Sequence, residues 1–328
     1  MPHVPKVSVV VTTYQRADLL RRALSDLQCQ SLADFEVIIV DDGSTDHTGS
    51  VVRGISDTRF RYVRKPHIGV PAVVNAGIVA SAGEYIMICH DHDVYSPTML
   101  EKFSACLDRH PSAAFCFCGY VLLDASATIE VSRDLHDFAE LIPGREFLVE
   151  QLLPRLDSCV SALSMIRRSA LAGEYLDPRI GGCADVELWH RLAASWDVAY
   201  IKEPLIKIRG RDASSSFSDA ALELLRGILA TKDRYLRYAG DAREQRIIRR
   251  GWRRAVDAIA FSHLLKELAY GSREALPTGA DLIRSAGTPE ALSVLRFLAL
   301  TPRPLSIALL KGLRAAHRRW RGRARLGQ

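Results

Sequence analysis

Apolar residues in the first 120 positions fall into short uninterrupted runs, separated by segments with helical spacing. Val7 to Val11 in "VSVVVTTY" and Phe35 to Val40 in "FEVIIV" each read as a strand buried on both faces. Between them Leu19, Leu20, Ala23, Leu24 and Leu27 recur at the period of an amphipathic helix. "RFRYV" predicts a shorter strand, "GVPAVVNAGIVASAG" a helix of small residues, and "YIMIC" another buried strand. Ser96 as N-cap and Pro97 at the first helical position predict a helix through Leu107, and "AAFCFC" reads as a further strand. Ala184 to Ser195 reads as a helix with Val186, Trp189, Leu192 and Ala193 near one face. "AYIKEPLIKIRGRDASSSF" reads as strand, turn, strand and Ser-rich loop, and beyond Asp219 the chain is mostly helical and Arg-rich.

Strands alternating with helices predict an α/β fold, a mostly parallel sheet flanked by helices, here with a C-terminal helical extension. In such sheets ligands collect outside the carboxyl ends of the strands. Three polar groups are expected there: Thr12-Thr13-Tyr14, Asp41-Asp42 and His90-Asp91-His92-Asp93. The last group follows the apolar run Tyr85 to Cys89 directly, and four metal-capable side chains after a buried strand point to a bound cation or ligand. Neither a GxGxxG turn nor a Walker loop follows the first strand, so a nucleotide here depends on carboxylates and a cation.

Composition narrows the picture. The chain has 328 residues, 48% hydrophobic, enough for one large core plus an appendage. The opening "MPHVPK" lacks the apolar stretch of a secretory signal, and no apolar run reaches the roughly 18 residues of a membrane span. Seven scattered cysteines show neither zinc-finger spacing nor a disulfide framework, which predicts packed thiols and a cytoplasmic protein. Net charge is +6, yet from Thr301 onward there are eight Lys or Arg and no Asp or Glu, leaving about −2 elsewhere. Nucleic-acid binding by the main domain is therefore not expected.

The ordered motifs "VSVVVTTYQR", "FEVIIVDDGSTD", "NAGI", "GEYIMICHDHD", "ADVELWHRL" and "EPLIKIRG" resemble a family 2 glycosyltransferase of the GT-A fold and inverting type. The resemblance covers roughly residues 5 to 216. It implies a catalytic domain over 1–218, with a nucleotide-sugar half at 1–118 and an acceptor half at 119–218, then a basic helical region at 219–328. It also implies transfer of a sugar from a UDP- or dTDP-linked donor to the hydroxyl of a glycan, lipid-linked or small-molecule acceptor, as in bacterial-type polysaccharide or glycoconjugate assembly.

Residue by residue, the resemblance assigns Thr12, Thr13, Tyr14, Arg16, Asp41, Asp42, Asn75 and Asp91 to the nucleotide and donor; for Asn75 the alternative is a structural capping role. Asp42 would accept the base N3–H, a role for a group that accepts and cannot donate; the alternative is that Asp41 and Asp42 make only an Asx-type turn before Gly43. Asp46 is expected to cap the following helix, and Arg167-Arg168 match family positions without a defined role. The family's metal motif is Asp-x-Asp-Asp, and His92 stands where its metal-binding carboxylate falls, with Asp93 beside it. An imidazole ligand favours Mn²⁺ over Mg²⁺; a metal-independent transferase is the alternative. Asp185 keeps the place of the general base although Ala184 replaces the acid before it, and the helix N-terminus is expected to keep it ionised; a plain capping role is the alternative. Arg209 and Arg211 occupy an Arg-x-His position, where Arg211 would offer a permanent cation to the diphosphate.

Past Pro304, Leu305, Ala308, Leu309, Gly312, Leu313, Ala316 and Trp320 share one helical face, with basic residues on the other. Such a helix either lies on an anionic membrane, placing the protein on its inner face, or docks on protein. Two rival functions remain. A sugar nucleotidyltransferase would need a Gly- and Lys/Arg-rich loop after the first strand, which "TTYQRAD" lacks. A catalytically inactive sugar-nucleotide-binding subunit is suggested by His90, His92 and Ala184, which replace usual acids.

Overall fold

The computed structural model describes residues 3–124, 126–152, 160, 163–210, 217–253, 256 and 305. In chain order the first half runs β1 (Val7–Thr13), α1 (Ala17–Gln28), β2 (Phe35–Asp41), α2 (Thr48–Arg53), β3 (Phe60–Arg64), α3 (Val70–Ala80), β4 (Tyr85–His90), β5 (Val94–Tyr95) and α4 (Met99–Arg109). The second half runs β6 (Ala113–Leu123), β7 (Glu130–Asp134), β8 (Leu141–Ile142), α5 (Gly144–Phe147), β9 (Met165–Arg167), α6 (Ala184–Ala193), β10 (Asp197–Arg209) and α7 (Phe217–Arg237).

One ten-stranded sheet, ordered β3-β2-β1-β4-β9-β6-β10-β5, passes through both halves. β7 pairs with β6 and β8 with β10. The expected division at 118/119 falls within β6. The fold is the expected α/β arrangement, and its sheet is mixed: β9 runs antiparallel to both β4 and β6. β5 and β8 are also antiparallel to β10, and β7 to β6.

Alternation along each strand divides the core between the two faces. Val10, Ile38, Val40, Ile86 and Ile88 face α3 and α6, in a cluster with Phe115, Phe117 and Trp189. Val9, Val11, Val37, Ile39, Met87 and Cys89 face the other way, onto Leu20, Leu24, Leu27 and Phe103 of α1 and α4. Gly77 lets α3 lie close to the sheet, since a Cβ there would meet Val10 Cγ1 at 2.3 Å.

Several expected elements are corrected. α4 starts at Met99 with Thr98 before it, because the Ser96 N–H is taken by Leu205 O, which holds that segment beside β10. Ser96 and Pro97 therefore precede the helix. β10 is one strand of 13 residues; its register against β6 shifts around Pro204, which absorbs the irregularity read as a turn. On α6 the buried face holds Glu187, Leu188 and His190 together with Trp189, Leu192 and Ala193, while Val186 is half-buried. Glu187 accepts the Tyr238 hydroxyl at 2.7 Å, a partner far along the chain that pattern alone does not reveal.

Strand order locates the crevice. From β1 the chain moves outward to β2 and β3, then returns to add β4 on the opposite side of β1. The carboxyl ends of β1 and β4 thus flank a topological switch point, where loops diverge and leave an opening.

Candidate active site

Parallel register aligns the polar strand ends. Thr12 stands opposite His90 of β4, and Thr13 opposite Asp41 of β2. The chain then turns at Gln15, whose φ of 55° is left-handed. Its side-chain Oε1 accepts the Thr45 and Asp46 N–H groups, and its backbone N–H donates to Ser44 Oγ, so the β1 and β2 loops are tied together. Asp46 caps as expected through Thr48 N–H, and also accepts the first N–H of α1, from Ala17.

Asp41 and Asp42 serve different ends. Asp41 accepts Ser44 N–H and the Tyr62 hydroxyl and is almost fully buried, so it builds the turn that Gly43 completes at φ 86°. Asp42 Oδ1 accepts Ile68 N–H at 2.7 Å, and Oδ2 accepts Gly69 N–H at 3.2 Å and lies 2.9 Å from His67 Nδ1. The His67 ring stacks on Tyr14 with centroids 4.4 Å apart. Tyr14, His67 and Asp42 thus form an aromatic-and-carboxylate wall at the end of β2; His67 carried no signal in the sequence.

At the end of β4, Asp91 is buried and accepts three groups. Thr13 Oγ1 donates at 2.8 Å, Arg16 Nη1 at 3.2 Å, and His92 Nδ1 lies 2.9 Å away. Burial would push the Asp91 carboxyl up, but hydrogen bonding from His92, the Arg16 charge and the Thr13 hydroxyl outweigh it and hold the group below its ordinary range. An ionised carboxylate only accepts, so the contact with Asp91 calls for a proton on His92 Nδ1, a nitrogen that also lies 3.2 Å from Arg16 Nη1 and leaves Nε2 as the atom turned from Asp91. That Nε2 lies 3.9 Å from Asp93 Oδ1.

Asp93 has no exposed side-chain surface. It accepts the Arg209 backbone N–H through Oδ1 at 2.9 Å and faces His90 Nδ1 through Oδ2 at 3.0 Å. His90 stacks on His92, and His90, His92 and Asp93 offer ligand atoms within 4.8 Å of one another. Two imidazoles and a carboxylate so placed can hold a divalent cation. His90, in the quoted stretch from the start, joins His92 and Asp93 only once β4 is folded. Arg209 donates through Nε to His92 O, bracing the loop from β10. Arg211 lies outside the described residues.

Asp185 sits in the first turn of α6, after the cap residue Cys183, and its Oδ1 accepts Val186 N–H. The helix start is not the dominant influence on its carboxyl. Burial is the larger effect and raises its pKa, against the Val186 N–H and the nearby charge of His90. Asp185 is thus in electrostatic reach of His90, although 95 positions separate them in the chain.

Asn75 is engaged elsewhere. Its Nδ2 donates to Leu176 O at 2.7 Å, and its Oδ1 accepts Leu176 N–H at 3.0 Å, clamping α3 to the segment before α6. Arg167 and Arg168 donate to backbone carbonyls of Leu107 and Gly83, anchoring β9 to its neighbours. No helix among the described residues is long and apolar enough to cross a membrane.

These features define a polar crevice at the carboxyl ends of an α/β sheet, and comparison with known proteins gives the family. The sequence pattern of glycosyl transferase family 2 matches residues 8–173, and the chain belongs to that family. An uncharacterized glycosyltransferase of Rickettsia typhi is 26% identical over 219 residues, 65% of this chain and 66% of the relative. The chain thus spans just under two thirds of that relative's length. Validoxylamine A glucosyltransferase of Streptomyces hygroscopicus is 51% identical over 70 residues, 20% of this chain and 17% of its own. Among solved structures, S. aureus TarS 1–349 in complex with UDP superimposes with a TM-score of 0.62 at 15% identity, covering 95% of this chain and 92% of that one. The mannosyltransferase PcManGT of Pyrobaculum calidifontis, in complex with GDP-Man and Mn²⁺, gives 0.54 at 18% identity, covering 91% and 86%. The shared architecture is the GT-A fold.

Proposed function

We propose that this chain is an inverting glycosyltransferase using a nucleotide diphosphate sugar, UDP- or dTDP-linked. The observation that carries the reading is the cluster of His90, His92 and Asp93 at the β1/β4 switch point, with Asp185 in electrostatic reach of His90. A proton acceptor and a cation site beside one crevice are what glycosyl transfer from a diphosphate needs.

The base lies against Tyr14 and Thr12, with its N3–H donated to Asp42, whose four lone-pair positions leave room beside its three present neighbours. Asp91, fixed by Thr13 and Arg16, faces the ribose or donor sugar, while Arg209 and Arg211 add positive charge near the diphosphate. His92 and Asp93, joined by His90, hold a divalent cation, Mn²⁺ in preference to Mg²⁺. When bound, that cation neutralises charge on the departing diphosphate. The acceptor oxygen forms its bond to the anomeric carbon as the bond from that carbon to phosphate breaks, with inversion. Its proton passes to Asp185, and the raised pKa of that group strengthens it as a base. A UDP complex and a GDP-Man–Mn²⁺ complex among the structural neighbours are in keeping with this donor class.

A thermal-shift screen of UDP-, dTDP- and GDP-sugars with Mn²⁺ tests the donor, since a ligand held at 100 times its Kd adds about 2.7 kcal/mol. One uracil or thymine donor should stand out; a guanine donor alone would refute the base assignment. The basic segment 301–328, outside the described residues but for Leu305, is proposed to rest on an anionic membrane surface. Co-sedimentation with phosphatidylserine vesicles at low salt should depend on it, and failure of the full-length protein to sediment would remove that role.

A further inference from the structure

A second cluster of metal-ligating side chains lies at the far end of α4. That helix starts beside the crevice and runs back along the sheet, so its last turn reaches the edge where β6 begins. Cys106 and His110 are four positions apart and so share one side of the helix end. Glu140, immediately before β8, meets them from across the chain, and the three offer ligand atoms within 4.8 Å of one another.

We propose that Cys106, His110 and Glu140 form a binding site for a thiophilic divalent cation, Zn²⁺ above all, separate from the transferase crevice. The distances carry this. Tetrahedral zinc with bonds of about 2.3 Å to sulfur and 2.0–2.2 Å to nitrogen and oxygen sets its ligands roughly 3.3–3.6 Å apart. Glu140 Oε1 lies 3.8 Å from Cys106 Sγ and 3.2 Å from His110 Nε2. These separations need only a few tenths of an ångström of adjustment.

Chemistry agrees with the geometry. Cys106 is buried, His110 is 22% exposed and Glu140 is 49% exposed, so a cation has an entry from solvent and a preformed inner wall. The Cys106 thiol donates to Glu140 Oε1, a contact whose proton a shared cation would replace. Thiolate is the form that binds metal. Cys116 keeps its own proton, because burial and the neighbouring Cys106 both raise its pKa. Arg109 also grips Glu140, through Nε at 3.0 Å, and this competitor must yield or turn aside as the cation enters. The Glu140 carbonyl accepts Tyr200 N–H of β10. A cation here would therefore link the end of α4 to the strands of the second half.

Cobalt(II) tests the site on the full-length, reduced protein, because only a thiolate ligand produces a near-ultraviolet sulfur-to-cobalt charge-transfer band. His90, His92 and Asp93 contain no sulfur and cannot produce it. Titration should develop the band to one equivalent, and Zn²⁺ should bleach it. It should vanish in Cys106→Ala, weaken in affinity by more than about tenfold in His110→Ala and Glu140→Gln, and persist in His92→Ala. The latter two substitutions fall at partly exposed positions, so they decide the matter even if Cys106→Ala does not fold. Absence of the band in the wild type, or unchanged affinity in both His110→Ala and Glu140→Gln, would overturn the site. A band that disappears with the exposed Cys29→Ser instead would do the same.

Discussion

The two metal-capable clusters of this molecule differ in how the chain assembles them. His90, His92 and Asp93 lie within four consecutive positions, at the end of a buried strand beside a switch point. Cys106, His110 and Glu140 are brought together by a helix end and a strand start 30 positions further on. The first cluster is anchored on its inner side by Asp91, Thr13, Arg16 and the Arg209 backbone. The second has one buried thiol and a competing cation in Arg109. A site set by sheet topology can be recognised along the chain; one set by the docking of separate elements can be recognised only in three dimensions.

The largest expected effect separates the crevice from everything around it. Asp185→Asn keeps the side-chain shape and the acceptor for Val186 N–H but cannot take a proton. Transfer should fall by about 10²-fold or more with donor affinity unchanged, as measured by product formation and by calorimetry of donor binding. Near-wild-type turnover would mean that the proton leaves by another route.

His190, one turn and a half along the same helix, is a histidine of the opposite kind to His90 and His92. It is buried, stacks on Tyr235 at 4.4 Å and bonds Val186 O. Burial lowers its pKa to about 4. The unfolded chain, with an ordinary pKa near 6.5, takes up the proton at higher pH than the folded chain does. This contribution to stability is therefore complete above about pH 6.5 and is lost as pH falls toward 4. Between pH 7 and 5 it amounts to about 2 kcal/mol. Urea midpoints for His190→Phe should show that much less dependence on pH than the wild type; equal slopes would assign the acid sensitivity to other groups.

A smaller effect distinguishes scaffold from site. Asn75→Ala removes both bonds to the Leu176 backbone and should cost about 1–2 kcal/mol in urea denaturation. Donor affinity per folded molecule should not change. Weaker donor binding at unchanged stability would return Asn75 to the pocket.

Much of the first half was legible because each strand is a continuous apolar run and its polar end follows directly. Val7 to Thr13, Phe35 to Asp41 and Tyr85 to His90 needed extension by no more than two residues. The three polar groups were also placed correctly at adjacent strand ends. What escaped depended on partners remote in sequence. The start of α4 moved because Ser96 is claimed by Leu205, and the Asp185 carboxyl is raised in pKa because desolvation in the folded chain outweighs the helix start. His67 was invisible because its role comes from stacking on Tyr14, more than fifty positions earlier. The cysteines read as packed thiols from spacing alone; Cys106 stands apart only through Glu140 and His110.

The most direct measurement is uptake of Mn²⁺ by the full-length protein in the presence of saturating UDP or dTDP, read from loss of the free-ion electron paramagnetic resonance signal. Wild type and Glu140→Gln should each bind one Mn²⁺ per chain at the crevice, and His92→Ala should bind none over the same range. Uptake undiminished in His92→Ala, or no nucleotide-dependent uptake by the wild type, would contradict the placement of the donor diphosphate at the end of β4.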